Sequence, residues 1–110
     1  CNPLGENAAT SEFDLTCFEE GVRGYFKSMQ SLWTKEDLIQ LPACVERIAL
    51  ELAARYCADA LEESYFAWNM ELYANASQHN LERALGQYHL SESVRQRCLA
   101  AETIIEKLFV

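Results

Sequence analysis

Glycine and proline are scarce in this chain, which has four and two of them among its 110 residues. These residues most often interrupt helices and form turns, so their scarcity favours long helical segments. Long apolar runs are missing as well, since no stretch approaches the roughly 18 to 20 consecutive apolar residues that a membrane span needs. These shortages indicate a helical, globular protein.

Basic residues are also few, with 9 Lys and Arg against 17 Asp and Glu and a net charge of −8. Nucleic acids and anionic membranes carry the same sign of charge, which argues against both as partners. A protein with a cationic surface is the partner that this charge favours. The length suits one domain, so residues 1–110 are expected to form a single helical domain.

The sequence has none of the short motifs that carry catalysis, such as G-x-S-x-G, H-E-x-x-H or a glycine-rich phosphate loop. Its only histidines, His79 and His89, stand ten residues apart, in or near predicted turns and away from any cysteine in the sequence. That arrangement is poor for a metal site or for a nucleophile and its base. We therefore expect no enzymatic activity, no cofactor and no metal ion, and surface or turn positions for both histidines.

Cysteine is the residue that the chain has in abundance. Five widely spaced cysteines occur, none of them in a C-x-x-C pair: Cys1, Cys17, Cys44, Cys57 and Cys98. This content is typical of secreted proteins, in which such cysteines form cross-links between helices. The sequon at Asn75 likewise favours a secreted, extracellular glycoprotein, with Asn75 as the glycosylated residue.

Apolar residues recur at three- and four-residue steps from about Ser11 to Trp33, which predicts a first helix after an extended lead-in over residues 1–10. Gly21 and Gly24 lie inside this helix and each costs about 1 kcal/mol relative to alanine. Close packing against a neighbouring helix is the expected reason for both glycines.

Thr34 is the expected N-cap of a short second segment, and Pro42 is expected to end it and to begin the third helix. No glycine or proline occurs between Ala43 and Leu85. One helix of that length would outgrow a compact domain, so a break is expected near residues 58–62. After a turn over residues 77–80, a short helix and a last helix complete an all-α bundle of about five helices.

The segment after the expected break carries two apolar stripes, which predict a helix with two apolar faces. One stripe consists of Tyr65, Trp68 and Leu72 and the other of Phe66, Met70 and Tyr73. Such a helix is either central in its bundle or presents a binding surface, because aromatic residues and methionine are enriched in interface cores. Burial is favoured, and a protein-binding surface with Phe66, Met70 and Tyr73 is the alternative.

An alternating up-and-down bundle predicts how the cysteines pair. Cys17 and Cys57 fall at one end of such a bundle, and Cys44 and Cys98 fall at the other. Cys44 and Cys57 cannot pair, because 13 residues of helix separate them by about 20 Å and a disulfide needs about 7 Å or less. The expected fold is therefore a disulfide-stabilised bundle with Cys17–Cys57 and Cys44–Cys98 pairs, and Cys1 is left over.

The same bundle brings two acidic segments together, since residues 1–22 and 56–82 contain acidic residues but no Lys or Arg. Their meeting predicts an acidic pole that includes Glu19, Glu20, Glu62 and Glu63. Such a pole attracts a cationic protein surface. A merely solvated acidic face is the alternative.

A small, acidic, helical chain with widely spaced Cys17, Cys44, Cys57 and Cys98 resembles the salivary proteins of blood-feeding insects, nearest the anopheline anophensin/albicin family. The likeness is one of size, helical content and cysteine spacing, and it assigns no role to any residue. It implies inhibition of host defence, either at the alternative complement pathway convertase or at contact-activation factors.

The expected function is therefore that of a secreted, non-enzymatic inhibitor that binds a host plasma protein complex. Two alternatives stay open. One is a helical, cytokine- or hormone-like ligand of a receptor. The other is a carrier of a small apolar ligand between helices.

Overall fold

A computed structural model describes residues 2, 8–29 and 31–109 of the protein. These ranges contain helices and no strand, which confirms the all-α class. The helices are α1 (Leu15–Met29), α2 (Lys35–Leu38), α3 (Leu41–Glu62), α4 (Ala76–Gln96) and α5 (Cys98–Lys107). Since α2 is a single turn of four residues, the described part of the chain has four full helices, and the expected count of about five is too high.

Two local predictions are confirmed, one at the start of α2 and one at the start of α3. The Thr34 hydroxyl accepts a hydrogen bond from the Asp37 backbone N–H at 3.1 Å, and the Asp37 carboxylate accepts one from the Thr34 N–H at 2.9 Å. This reciprocal pair caps α2. Pro42 lies in the first turn of α3, where its missing N–H leaves no hydrogen bond unmade.

Helices α3 and α4 form an antiparallel hairpin that runs most of the length of the molecule. Asn80, near the start of α4, donates a hydrogen bond to Asp59, near the end of α3, at 2.9 Å. At the other end of the hairpin, the Arg95 guanidinium lies 4.0 Å from the Glu46 carboxylate. The hairpin gives an elongated body with extents of 52 × 24 × 21 Å.

The hydrophobic core lies at one end of this body, where α3 begins and α4 ends. Its fully buried side chains come from the segment before α1 and from α1, α2, α4 and α5: Phe13, Phe18, Val22, Leu38, Val94, Ala101 and Ile105. Leu41 and Val45 of α3 pack against this cluster. Helix α1 therefore packs mainly on α5 at this end and does not run along α3.

The N-terminal segment is tied to the surface of α4. The expected lead-in over residues 1–10 lies largely outside the described residues, but residues 8–10 form a turn. The Ala8 N–H donates a hydrogen bond to Glu82 Oε1 at 3.0 Å, and the Ala8 carbonyl oxygen lies 2.6 Å from His89 Nδ1. His89 is exposed, as predicted.

Helix α4 corrects the predicted turn over residues 77–80 and the short helix after it. The chain is helical without interruption from Ala76 to Gln96. Apart from Val94, its buried residues are small or polar, among them Asn80, Ala84 and Ser91, whereas Leu81 and Leu85 are exposed. An apolar stripe therefore does not reveal this helix, because most of its buried side chains are not large and apolar.

The predicted disulfides are not formed, since Cys17, Cys44, Cys57 and Cys98 are all free thiols. Cys17 adjoins Phe18, a member of the core cluster against which Val45 packs. Cys57 lies 12 residues further along α3 than Val45, about 18 Å in helical rise. The pairing Cys17–Cys57 was wrong because α1 does not extend along α3.

The pairing Cys44–Cys98 fails for a different reason. The Cys98 thiol lies near Glu46, whose negative charge acts on it. Cys44 stands two residues before Glu46 on α3, so its side chain points about 200° away around the helix axis. Both cysteines are at the same end of the molecule, as expected, but Cys44 points to solvent.

Candidate functional site

The segment over residues 63–75 connects α3 to α4 at the end of the molecule opposite the core, and we call it the hairpin loop. The two apolar stripes predicted a helix here, and that prediction was wrong. Helix α3 ends at Glu62, and Glu63 adopts a left-handed backbone conformation with φ of 54°. The expected break near residues 58–62 is confirmed.

A buried carboxylate organises the first half of the hairpin loop. Asp59 Oδ1 accepts hydrogen bonds from the backbone N–H groups of Ser64 at 2.8 Å and Tyr65 at 2.9 Å. Asp59 Oδ2 accepts from the Phe66 N–H and from Asn80 Nδ2, both at 2.9 Å. These N–H groups bind the carboxylate in place of the carbonyl oxygens of a continuing helix, and so the helix stops.

The same hydrogen bonds keep Asp59 ionised. The Phe66 N–H is the largest influence that lowers the pKa of this carboxyl, and the N–H groups of Ser64 and Tyr65 and the Asn80 amide act in the same direction. Burial of the side chain opposes them but does not prevail. The anion therefore persists below the ordinary pH range of aspartate titration.

The second half of the hairpin loop is held by α4. His79 is buried, and its Nδ1 accepts a hydrogen bond from the Asn69 N–H at 3.0 Å. The Tyr73 ring stacks on the His79 imidazole with 4.2 Å between centroids and 6° between planes. Arg83 Nη1 donates a hydrogen bond to the Ala67 carbonyl at 2.7 Å. His79 is thus buried inside a helix, and the prediction of a surface or turn position was wrong.

The hairpin loop presents large apolar side chains to solvent although its backbone is fixed. Tyr65, Met70 and Leu72 are 72%, 75% and 76% exposed, and Leu61 in the last turn of α3 is 87% exposed. We call these four side chains, together with Glu62, Glu63 and Glu71, the loop surface. Exposed aromatic and apolar groups on a rigid support are typical of protein-binding surfaces.

The carboxylates of the loop surface flank its apolar side chains. Glu62, Glu63 and Glu71 are exposed, and Glu63 Oε1 accepts a hydrogen bond from the Ser77 N–H at 3.1 Å. One cation stands at the edge, since the Arg55 guanidinium lies 5.7 Å from the centroid of the Tyr65 ring. The loop surface therefore combines exposed apolar side chains with negative charge.

The predicted acidic pole is divided between the two ends of the molecule. Glu19 belongs to α1 at the core end and pairs with Arg23 at 2.6 Å, and Glu20 is exposed beside it. Glu62 lies 17 residues beyond Val45 on α3, about 25 Å further along the helix. Only Glu62 and Glu63 are near the hairpin loop, because α1 does not run beside α3.

The three predicted binding residues of the hairpin loop differ in their exposure. Met70 is exposed, as the binding interpretation requires. Phe66 and Tyr73 are half-buried, and the Phe66 ring packs on Tyr56 with 4.4 Å between centroids. Phe66 and Tyr73 are packed against the body of the molecule, whereas Met70 faces solvent. Burial and exposure, the two alternatives that the sequence left open, therefore both occur in this segment.

Sequence reasoning missed Asp59, the residue that holds the hairpin loop in place. Its position offered a signal, because a carboxylate in the last turn of a helix is unfavourable next to the negative end of the helix dipole. A residue kept there needs a compensating interaction. Here three backbone N–H groups supply it.

Asn75, the predicted glycosylation site, is the N-cap of α4. Its Oδ1 accepts a hydrogen bond from the Gln78 N–H at 2.9 Å, and the side chain is exposed. Glycosylation takes place on the amide nitrogen, which this cap does not use. Glycosylation of Asn75 stays a prediction.

Within residues 2, 8–29 and 31–109, no group of three His, Cys, Asp or Glu side chains is placed to hold a metal ion. No helix in the same ranges combines the length and the apolar character that a bilayer crossing requires.

Comparisons with protein-family models, with curated proteins and with solved structures found no match to this chain. Function is therefore inferred from the loop surface and from the residues that hold it.

Proposed function

We propose that this protein acts by binding another protein through the loop surface and carries out no reaction of its own. The observation that supports this most directly is the exposure of Tyr65, Met70 and Leu72 on a loop whose backbone is bound by Asp59 at Tyr65 and by His79 at Asn69. A fixed backbone loses little conformational entropy on binding, so more of the contact energy contributes to affinity. Aromatic and methionine side chains supply that energy in interface cores.

The chemistry of the loop surface favours a partner with an apolar depression rimmed by Lys or Arg. The depression would receive Tyr65 and Leu72, and the cationic rim would face Glu62, Glu63 and Glu71. Opposite charges around the contact raise the association rate and weaken with added salt. The net charge of −8 also attracts a cationic partner, over a longer distance, and so raises the association rate further.

The resemblance to the anophensin/albicin family suggests where such a partner is found. The proposed partner is a host plasma protein complex, with the alternative complement convertase and contact-activation factors as the leading targets. The protein would be secreted and would inhibit by covering a surface of the target or by holding it in one conformation.

A pull-down from plasma with a matched pair of variants tests this proposal. The variant Tyr65→Ala/Leu72→Ala removes two exposed side chains of the loop surface. The control Tyr88→Ala/Leu99→Ala removes the same two residue types from exposed positions on α4 and α5. We expect wild type and control to capture the same plasma protein and the loop variant to lose it.

Equal capture by both variants would show that the loop surface is not the binding site. The target itself is tested by haemolysis through the alternative pathway. Complete lysis at micromolar protein would exclude the convertase, and unchanged kallikrein activity would likewise exclude the contact-activation factors.

A further inference from the structure

A groove opens at the core end of the molecule, between α1 and the start of α3. Phe18, Gly21 and Val22 of α1 line one side, and Leu38, Leu41 and Val45 line the other. The groove arises because α1 packs on α5. The side of α1 that faces α3 is therefore not in close contact with α3. Its volume is about 270 Å³.

Two aromatic rings are part of the lining of this groove. Tyr25 and Trp33 both line it, and their ring centroids lie 6.0 Å apart at an angle of 53°. Every side chain in the lining is uncharged. A charged ligand would lose its hydration here and gain no ion pair in return, so the lining selects an uncharged, apolar one.

Gly21 keeps the groove open. A Cβ atom built at Gly21 meets no atom within 4 Å, and the same holds for Gly24. The expectation that these glycines allow close helix packing was therefore wrong. Glycine costs about 1 kcal/mol in a helix relative to alanine. At Gly21 the missing side chain leaves room in the groove, whereas Gly24 does not line it.

The size of the groove restricts what can fill it. A cavity of about 150 Å³ holds benzene, and pockets for drug-sized molecules begin near 300 Å³. The volume of about 270 Å³ lies between these limits and suits a single small molecule.

We propose that this groove binds one small, uncharged, largely apolar molecule, with an aromatic ring or a short aliphatic chain packed against Phe18 and Trp33. The site is separate from the loop surface, which lies at the other end of α3. It gives the chain a ligand-binding activity in addition to protein binding, and the two activities can be tested separately.

The test uses the neutral fluorescent probe phenylnaphthylamine and two variants of α1. Gly21→Leu places a side chain in the groove. Gly24→Leu makes the same replacement one turn away, outside the lining, in equally open space. Both replacements favour the helix, so neither is expected to unfold the protein.

We expect wild type and Gly24→Leu to bind one probe per chain with the same affinity. Gly21→Leu should weaken binding at least about tenfold, which corresponds to about 1.4 kcal/mol. Gly21→Ala, with a smaller side chain, should give an intermediate loss. Tyr65→Ala/Leu72→Ala should leave probe binding unchanged, because the loop surface is remote from the groove.

Four results would overturn the proposal. One is a wild type that binds no probe in a saturable manner. Another is equal probe affinity in Gly21→Leu and Gly24→Leu. The third is a wild type that sediments as a dimer which the probe dissociates, since a second copy of the chain would then be the occupant of the groove. An anionic naphthalene sulfonate probe that binds as tightly as the neutral one would contradict the uncharged class of ligand.

Discussion

Asp59 fixes the local structure at the end of α3. It stands in the last turn of α3, and its carboxylate accepts backbone N–H groups that a continuing helix would use otherwise. It also receives the Asn80 amide and so links α3, the hairpin loop and α4. Replacing this one residue should therefore loosen the loop surface without touching the core.

The pH dependence of stability tests this role. The pKa of Asp59 is lowered in the folded protein, so its contribution is complete above the unfolded-state pKa and is lost as pH falls through the lower folded pKa. We expect Asp59→Asn to unfold at lower urea than wild type at pH 7. The difference should shrink as the pH is taken down through the acid range.

Glu62→Gln is the control for this series, since Glu62 is an exposed carboxylate three residues away. Its stability to urea should match that of wild type at pH 7 and in the acid range. Amide hydrogen exchange gives a local readout, because the N–H groups of Ser64, Tyr65 and Phe66 should lose protection in Asp59→Asn. A stability difference that does not change with pH would contradict the assignment.

Cys98 differs from the other described cysteines in its environment. Burial raises the pKa of its thiol, and Glu102, whose carboxylate lies 3.5 Å from the sulfur, raises it further. Alkylation requires the thiolate. At pH 8 we expect iodoacetamide to modify the exposed Cys17, Cys44 and Cys57 first and Cys98 last, with no reductant added.

Peptide mass spectrometry over time measures this order. Glu102→Gln should accelerate the modification of Cys98 and leave the other three unchanged. A cross-linked peptide that contains Cys44 and Cys98 in the untreated protein would refute the free-thiol assignment.

At the scale of elements, α4 shows that a buried helix face need not be apolar. Asn80 and Ser91 are almost completely buried, and both are hydrogen-bonded. Small residues such as Ala84 let α4 lie close to α3. The exposed leucines of α4 contribute little to this packing, so the hydrophobicity of a position does not predict its importance in this helix.

A pair of substitutions on α4 tests this point. Ala84→Leu adds apolar volume to a buried position and should destabilise the protein by about 1–3 kcal/mol through overpacking. Leu85→Ser removes apolar volume from an exposed position and should change stability by no more than about 0.5 kcal/mol. Urea unfolding measures both. Stabilisation by Ala84→Leu would show that the interface between α3 and α4 is not close-packed.

At the scale of the whole molecule, the core and the loop surface occupy opposite ends of one antiparallel hairpin. The core fixes α1, α2 and α5 on the open end of the hairpin, and the loop surface is fixed by Asp59, His79 and Asn80 at the closed end. Overall stability and partner binding should therefore respond to different substitutions.

Ile105→Ala is expected to lower overall stability without changing partner binding. The side chain is fully buried in the core, so its truncation should cost about 2–5 kcal/mol in unfolding free energy. Binding of the plasma partner should stay unchanged under conditions in which the variant remains folded, since the two regions are more than about 10 Å apart and share no contacts. An equal loss of affinity and stability would mean that the loop surface depends on the core.

The amino-acid sequence alone determined the features that depend on near neighbours. The Thr34 cap, the place of Pro42 and the end of α3 inside residues 58–62 follow from interactions within a few residues, and so does the helical class. The exposure of Met70 was one of two alternatives that the sequence left open, and burial was the favoured one.

Tertiary structure alone decided which helices lie side by side. Because α1 packs on α5, the cysteines do not meet, the acidic residues divide between the two ends and a groove opens beside Gly21. The loop surface is held in place by α4, where Asn80 donates a hydrogen bond to Asp59 and His79 accepts one from the Asn69 backbone N–H. These outcomes depend on contacts between residues far apart in the chain, and the spacing of residue types along a single helix carries no information about them.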